Sequence, residues 1–231
     1  MSQALYRKYR SRRLSEVLGQ EQVTAILARA LAQGKIAHAY LLTGPRGVGK
    51  TSVARILAHE INHLPYDEQL THLDIIEIDA ASNNGVDDIR QLREKASIAP
   101  VSAPKKIYII DEVHMLSKPA FNALLKTLEE PPAHVVFILA TTDADKLPAT
   151  ILSRVQQFYF RPIAAEVIAG QLQMIAQHEG FSVTPEAAQL IAEQSQGGFR
   201  DAISLLDQLS PLADADQPLS YQQVADHLGL T

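Results

Sequence analysis

Ala39-Tyr-Leu-Leu-Thr43-Gly44-Pro-Arg-Gly47-Val48-Gly49-Lys50-Thr51 joins a short apolar run to a G-x-x-x-x-G-K-[ST] loop, with helical spacing following from Lys50. An apolar strand, a glycine-rich turn and a helix in that order form a phosphate-binding loop. The glycines let backbone N–H groups turn inward onto phosphate oxygens, and the positive end of the helix dipole faces the same anion. Lys50 reaches the outer phosphates and the Thr51 hydroxyl ligates Mg²⁺, so the expected ligand is a nucleoside triphosphate with its metal. Gly44, Gly47, Val48, Gly49, Lys50, Thr51 and Ser52 are the expected contacts on the phosphate side.

Outward from this loop, β-rich apolar runs recur at Tyr40 to Thr43, Ile75 to Asp79, Ile107 to Ile110, Val135 to Ala140 and Gln156 to Phe160. Between them, residues 20–33, 50–63, 86–98 and 119–129 carry apolar side chains at spacings of three and four. The alternation predicts an α/β fold with a mainly parallel five-stranded sheet. Ser117 is the expected N-cap of the fourth of these helices, with Pro119 in its first turn; Pro131-Pro132 stops it. After Phe160 only helical periodicity remains, at residues 164–180, 184–196, 199–209 and 220–228, with a loop expected over 211–218. Two domains are therefore expected, 1–162 with the sheet and 163–231 all-helical.

The second half of a nucleotide site is legible at Ile107-Tyr-Ile-Ile-Asp111-Glu112, an apolar strand ending in two carboxylates 60 residues after the loop threonine. A strand-end aspartate beside a P-loop holds the Mg²⁺, which makes Asp111 the second expected metal residue. Glu112 is then positioned to take a proton from the attacking water.

Composition limits the alternatives. The chain has 231 residues, 46% apolar and 20% charged, with no cysteine and a formal net charge of −5. Disulfides and thiolate metal sites are excluded, and any contact with a polyanion must be local. No apolar run approaches the roughly 18 residues of a membrane span, so no membrane partner is expected and the cytoplasm is the expected location. The densest basic cluster is Arg7, Lys8, Arg10, Arg12 and Arg13. His59-Glu-Ile-Asn-His63 matches the H-E-x-x-H of zinc proteases, in which both histidines share a helix face and Glu60 is the base. Only His72 offers a third nitrogen nearby, and a helix-end histidine pair without metal is the expectation.

Several segments together resemble the AAA+ clamp-loader ATPase family of bacterial DNA polymerase III. They are Tyr6-Arg-Lys-Tyr-Arg10, Gly19-Gln20-Glu21, the P-loop, Glu77-Ile-Asp-Ala-Ala-Ser82, Asp111-Glu-Val-His-Met-Leu116 and Phe121 to Pro131. The series continues through Ala140-Thr-Thr-Asp143, Ile151-Leu-Ser-Arg154 and Gly198-Phe-Arg-Asp201. The resemblance implies an AAA+ core followed by a small helical lid, with ATP and Mg²⁺ as ligands. It implies that Tyr6, Arg10, Val17 and Leu18 line the adenine and ribose pocket, that Thr142 senses the γ phosphate, and that Arg200 reaches the nucleotide from the lid. Arg154 matches the family's arginine finger, which acts in trans on ATP held by a neighbouring subunit; a surface salt bridge is the competing reading for each arginine. Arg90 is the matching DNA-contact residue, with a helix-surface ion pair as its alternative. Val155 stands where the family motif has cysteine, and residues 60–74 are short and cysteine-free where the family carries a four-cysteine zinc module. Structural zinc is therefore not expected.

The implied function is an ATP-driven motor subunit that, with other clamp-loader subunits, loads a sliding clamp onto primer-template DNA. One alternative is a nucleotide-regulated binding module with negligible hydrolysis in isolation; another is a further AAA+ DNA enzyme such as a branch-migration helicase. The sequence ends soon after the lid, where family members continue into a collar domain, so an isolated monomer is expected.

Overall fold

A computed structural model describes residues 3–67, 70–213 and 217–230. Five strands form one sheet: β1 Ala39–Thr43, β2 Ile75–Asp79, β3 Lys106–Asp111, β4 Val135–Thr141 and β5 Gln156–Tyr159. Their order is β2-β3-β4-β1-β5 and every pairing is parallel. All residues of β1 and β4 are buried, as expected of central strands covered on both faces.

Helices α2 Glu21–Ala32 and α3 Lys50–Ile61 contribute Leu27, Val53 and Leu57 to one face of the sheet, against Leu42, Ile109 and Ile138. Helices α4 Val86–Ala96 and α5 Lys118–Glu129 contribute Ile89, Leu92, Phe121 and Leu124 to the other, against Leu41, Tyr108 and Phe137. Alternating side chains of β1 thus serve two cores. The Ser117 hydroxyl accepts the Ala120 N–H at the start of α5, with Pro119 in its first turn.

Several helices stop short of their expected ends, and two of these ends bear on the predicted motifs and core. The helix expected over 86–98 stops at Ala96, where the buried Lys106 ammonium takes the carbonyls of Lys95 and Ile98. The helix expected over 50–63 stops at Ile61, and His63 has a left-handed backbone with φ +54°. The two histidines of the H-E-x-x-H pattern therefore do not share a helix face. His59 is buried, its Nδ1 2.8 Å from the Arg55 carbonyl and its ring edge-on to Tyr66 and His72, while His63 is exposed.

A short α6 at Ala149–Leu152 precedes β5, and beyond that strand come the helices Ala165–His178 (α7), Pro185–Gln194 (α8), Phe199–Leu209 (α9) and Tyr221–Leu228 (α10). Leu172, Ile191, Leu206 and Val224 meet in a separate helical core. The N-terminal helix α1, Leu5–Lys8, adds Leu5 to that same core, so the first segment packs with the last helices rather than against the sheet. Of the loop expected over 211–218, residues 214–216 lie outside the described residues, and Ser210–Leu212 forms a single 3₁₀ turn.

Candidate nucleotide site

The loop after β1 turns back on itself through Gly44, Gly47 and Gly49, which have φ of +145°, +77° and +101°. A side chain at Gly44 would lie 2.3 Å from the Phe160 carbonyl oxygen, and one at Gly47 would lie 3.1 Å from the Gly198 Cα. Glycine is needed both for the turn and for the close approach of the neighbouring backbone. The Arg200 N–H, in the first turn of α9, donates to the Gly47 carbonyl at 3.3 Å, so the helical part touches the P-loop directly.

Lys50 opens α3 and is only 6% exposed. Its ammonium donates to the carbonyls of Gly44 at 2.7 Å and Pro45 at 2.5 Å. Burial pushes its pKa down, and the nearby Glu112 and Asp111 charges pull it back up. A buried cation held by two neutral carbonyls can exchange them for anionic oxygens. Thr51 Oγ1 donates to Asp111 Oδ2 at 2.8 Å. That brings together two hard oxygen donors from α3 and the end of β3, a donor set that suits Mg²⁺.

Asp111 Oδ1 accepts the N–H of Glu112, which sits in the left-handed region at φ +48°. Such a conformation costs on the order of 1–3 kcal/mol in a non-glycine residue and turns the side chain out of the strand direction. Glu112 Oε2 accepts from both the N–H and the hydroxyl of Thr142, at 3.3 and 3.1 Å. His114 Nδ1 lies 3.4 Å from the same oxygen and 2.8 Å from Thr141 Oγ1. The two strand-end carboxylates are therefore differently engaged: Asp111 faces Thr51, and Glu112 is tied to the end of β4.

One cleft is lined by Tyr6, Arg10, Val17, Leu18, Gly47, Val48, Gly49, Lys50, Thr51, Ser52, Asp111, Glu112 and Arg200, which unites most of the residues singled out by sequence. The Val48 side chain is itself core, at 2% exposure, and Val17 packs beneath Gly49. The Arg200 guanidinium lies 4.8 Å from the centre of the Tyr6 ring. Arg7 hydrogen-bonds the Tyr6 hydroxyl, and this, with the charges of Arg7 and Arg200, holds that phenol below its ordinary pKa. Thr142 reaches the cleft only through Glu112.

Arg154 and Arg90 lie outside the cleft. The Arg154 guanidinium bonds Glu129 at 2.8 Å, the Thr150 carbonyl at 2.8 Å and the Ser153 hydroxyl at 3.0 Å. Arg90 pairs with Asp87 at 3.1 Å on the exposed face of α4. Sequence reasoning assigned nothing to Tyr9, Arg46, Ile163, Phe199 and Ile203, which also line the cleft, or to His114 and Thr141 beside Glu112. Of these, Tyr9, Arg46, Phe199, Thr141 and His114 lie inside the segments that carry the family resemblance, without a role of their own, and Ile163 and Ile203 carried no signal.

A parallel five-stranded sheet with a P-loop after β1, two acids after β3 and a helical lid against the loop defines a P-loop protein of the AAA+ type. The chain belongs to the DNA polymerase III clamp-loader family. Residues 19–164 match the model described as DNA polymerase III, delta subunit, and residues 167–210 match the ATPase lid domain of the DNA polymerase III clamp loader subunit. The chain is 52% identical over 220 residues to DNA polymerase III subunit tau of Bacillus subtilis, covering 89% of this chain and 39% of that protein. It is 47% identical over 241 residues to subunit tau of Escherichia coli, covering 98% and 37%. The chain thus spans about two fifths of the length of these relatives. The solved structure of Thermotoga maritima RuvB, described as a Holliday junction branch migration motor, shares the fold. Its TM-score is 0.73 at 24% identity, over 96% of this chain and 72% of that one. Among the described residues no helix is long and apolar enough to cross a membrane.

Proposed function

We propose that this chain is the ATPase part of a clamp-loader motor subunit, which acts with sister subunits in the cytoplasm to load a sliding clamp onto primer-template DNA. The observation that carries the reading is the meeting of Lys50, the Thr51–Asp111 pair and Arg200 of the lid in one cleft. We take residues 1–162 as the nucleotide-binding unit, except for α1, and residues 163–231 as the lid.

In this reading the loop N–H groups and Lys50 hold the phosphates, Arg200 adds a cation from the lid, and Tyr6, Arg10, Val17 and Leu18 enclose the base and ribose. Mg²⁺ would be held by Thr51 and Asp111, and when bound it offsets charge on the outer phosphates. Glu112 must leave Thr142 to accept a proton from the attacking water; the water oxygen bonds to the γ phosphorus as the bond to the bridging oxygen breaks. Thr142, once free of Glu112, turns to the γ phosphate. Arg154 faces away from its own cleft, which fits a finger that acts on a neighbour's ATP. Arg90 is the proposed DNA contact, through a phosphate.

The tether on Glu112 and the outward Arg154 favour a corollary: the isolated chain binds ATP and turns it over slowly. ATP turnover with the partner subunits tests both. We expect Glu112→Gln and Arg154→Ala each to lower the assembled rate at least about 100-fold. A wild-type rate with Glu112→Gln would refute the reading.

A further inference from the structure

Helix α1 precedes the sheet in sequence, yet its side chains attach it to the lid. Leu5 is 7% exposed within the lid core. Its N–H donates to Asp207 Oδ2 on α9 at 3.1 Å. At the end of α7, Glu179 Oε1 accepts the Tyr9 hydroxyl at 2.5 Å and meets the Lys8 ammonium at 2.7 Å. The Tyr9 ring stacks on His178, with planes 8° apart. Among the described residues, every hydrogen bond and ion pair that residues 5–9 make outside their own segment goes to α7, its C-terminal cap or α9. The same short segment carries Tyr6 and ends at Arg10, both of which line the nucleotide cleft. Tyr6 in turn carries the Arg200 guanidinium of α9 over its ring.

We propose that Glu179 is a positioning residue for the nucleotide cleft: by holding Tyr9 and Lys8 it makes α1 part of the lid, so Tyr6 and Arg10 travel with Arg200. The cleft then has two walls. One is the P-loop with the ends of β1 and β3; the other is lid and α1 together, closing as one body. Glu179 does not line the cleft, and acts only through the segment it latches. Two partners on one carboxylate, an ammonium and a phenol, fix both the position and the rotation of α1. The inference rests on the nucleotide-site reading for its consequence, but the latch itself does not.

The chain has no cysteine, so introduced pairs can be labelled cleanly. Spin labels at Gln3→Cys and Glu186→Cys report the distance from α1 to the lid; Gln3→Cys and Glu94→Cys report that from α1 to the sheet unit. The proposal predicts that Mg-ATP leaves the first distance unchanged. In Glu179→Ala the first distribution broadens about twofold even without nucleotide, and the Kd for ATP rises about fivefold. Glu179→Gln, which still accepts from Tyr9, recovers most of both effects. An equally narrow distribution in Glu179→Ala would overturn the proposal, as would a nucleotide-dependent shift of α1 against the lid with α1 fixed to the sheet unit. If ATP failed to bind at all, the nucleotide reading would fall, while the widths measured without nucleotide would still decide the latch.

Discussion

The floor of the cleft is built by backbone: β1 and β3 each pair with β4 residue by residue, so Thr43 lies opposite Thr141 and Asp111 emerges one strand away. The wall is built by a few side chains from segments far apart in the chain, such as Tyr9 and Glu179, separated by 170 positions. The floor sits on two buried cores, one on each face of the sheet; the wall rests on a single helical core and on partly exposed polar contacts. A sheet ladder fixes phosphate ligands with little freedom, while a wall held by few contacts can open and close at low cost. The contrast matches the division of labour a nucleotide-driven switch needs.

The largest effect that separates the two regions is on stability. Asp74, just before β2, is 1% exposed and accepts the N–H groups of Val101, Ser102 and Ala103. Asp74→Ala should cost about 3 kcal/mol in denaturant unfolding, because three backbone N–H groups lose a charged acceptor that is itself buried. ATP affinity of the folded fraction should not change. A matching loss of affinity would mean that the sheet edge and the cleft are coupled.

Arg200→Ala tests the wall. It should weaken ATP about tenfold, about 1.4 kcal/mol, with no change in unfolding midpoint, because the side chain is exposed and its close neighbour is Tyr6. Acidification tests the same wall reversibly. Burial alone would raise the Asp74 pKa, but its hydrogen bonds from Ser102, Val101 and Ala103 keep it below the usual carboxylate range; Lys8 and Tyr9 do the same for Glu179. Both groups therefore contribute stability above the ordinary carboxylate pKa, and it is lost as pH falls through their depressed values. The α1 resonances, followed by NMR, should stay native while exposed carboxylates titrate and shift only at lower pH. The Tyr9 phenol, pushed up to about 12 by burial and by Glu179, stays protonated throughout that range.

The smallest effect concerns Glu129→Gln, which removes the charge facing Arg154. Both side chains are partly exposed, so stability should change by less than about 0.5 kcal/mol, measured by denaturant unfolding. A larger loss would make Arg154 a structural anchor rather than a side chain available to a neighbour.

The same contrast explains what the sequence could say. The five strands, the P-loop and Asp111 are written in contiguous runs, and each run determines its own local structure; the Ser117 cap is likewise local. The attachment of α1 to the lid depends on Glu179 meeting Tyr9, and no pattern near either residue announces the other. Glu112 was legible as a strand-end acid, but its left-handed backbone and its tie to Thr142 arise from the approach of β4. The early end of α4 has the same origin, because Lys106 reaches its last carbonyls from β3. His59 and His63 show the converse: a local string reads as a motif, and a left-handed turn at His63 dissolves it.

Calorimetric titration of Mg-ATP into the wild-type chain and into Lys50→Ala decides whether the loop after β1 holds a nucleotide. We expect one site per chain in the wild type and a loss of affinity of at least about 100-fold in Lys50→Ala, with the fold intact by circular dichroism. Equal affinity in the two proteins would contradict this expectation.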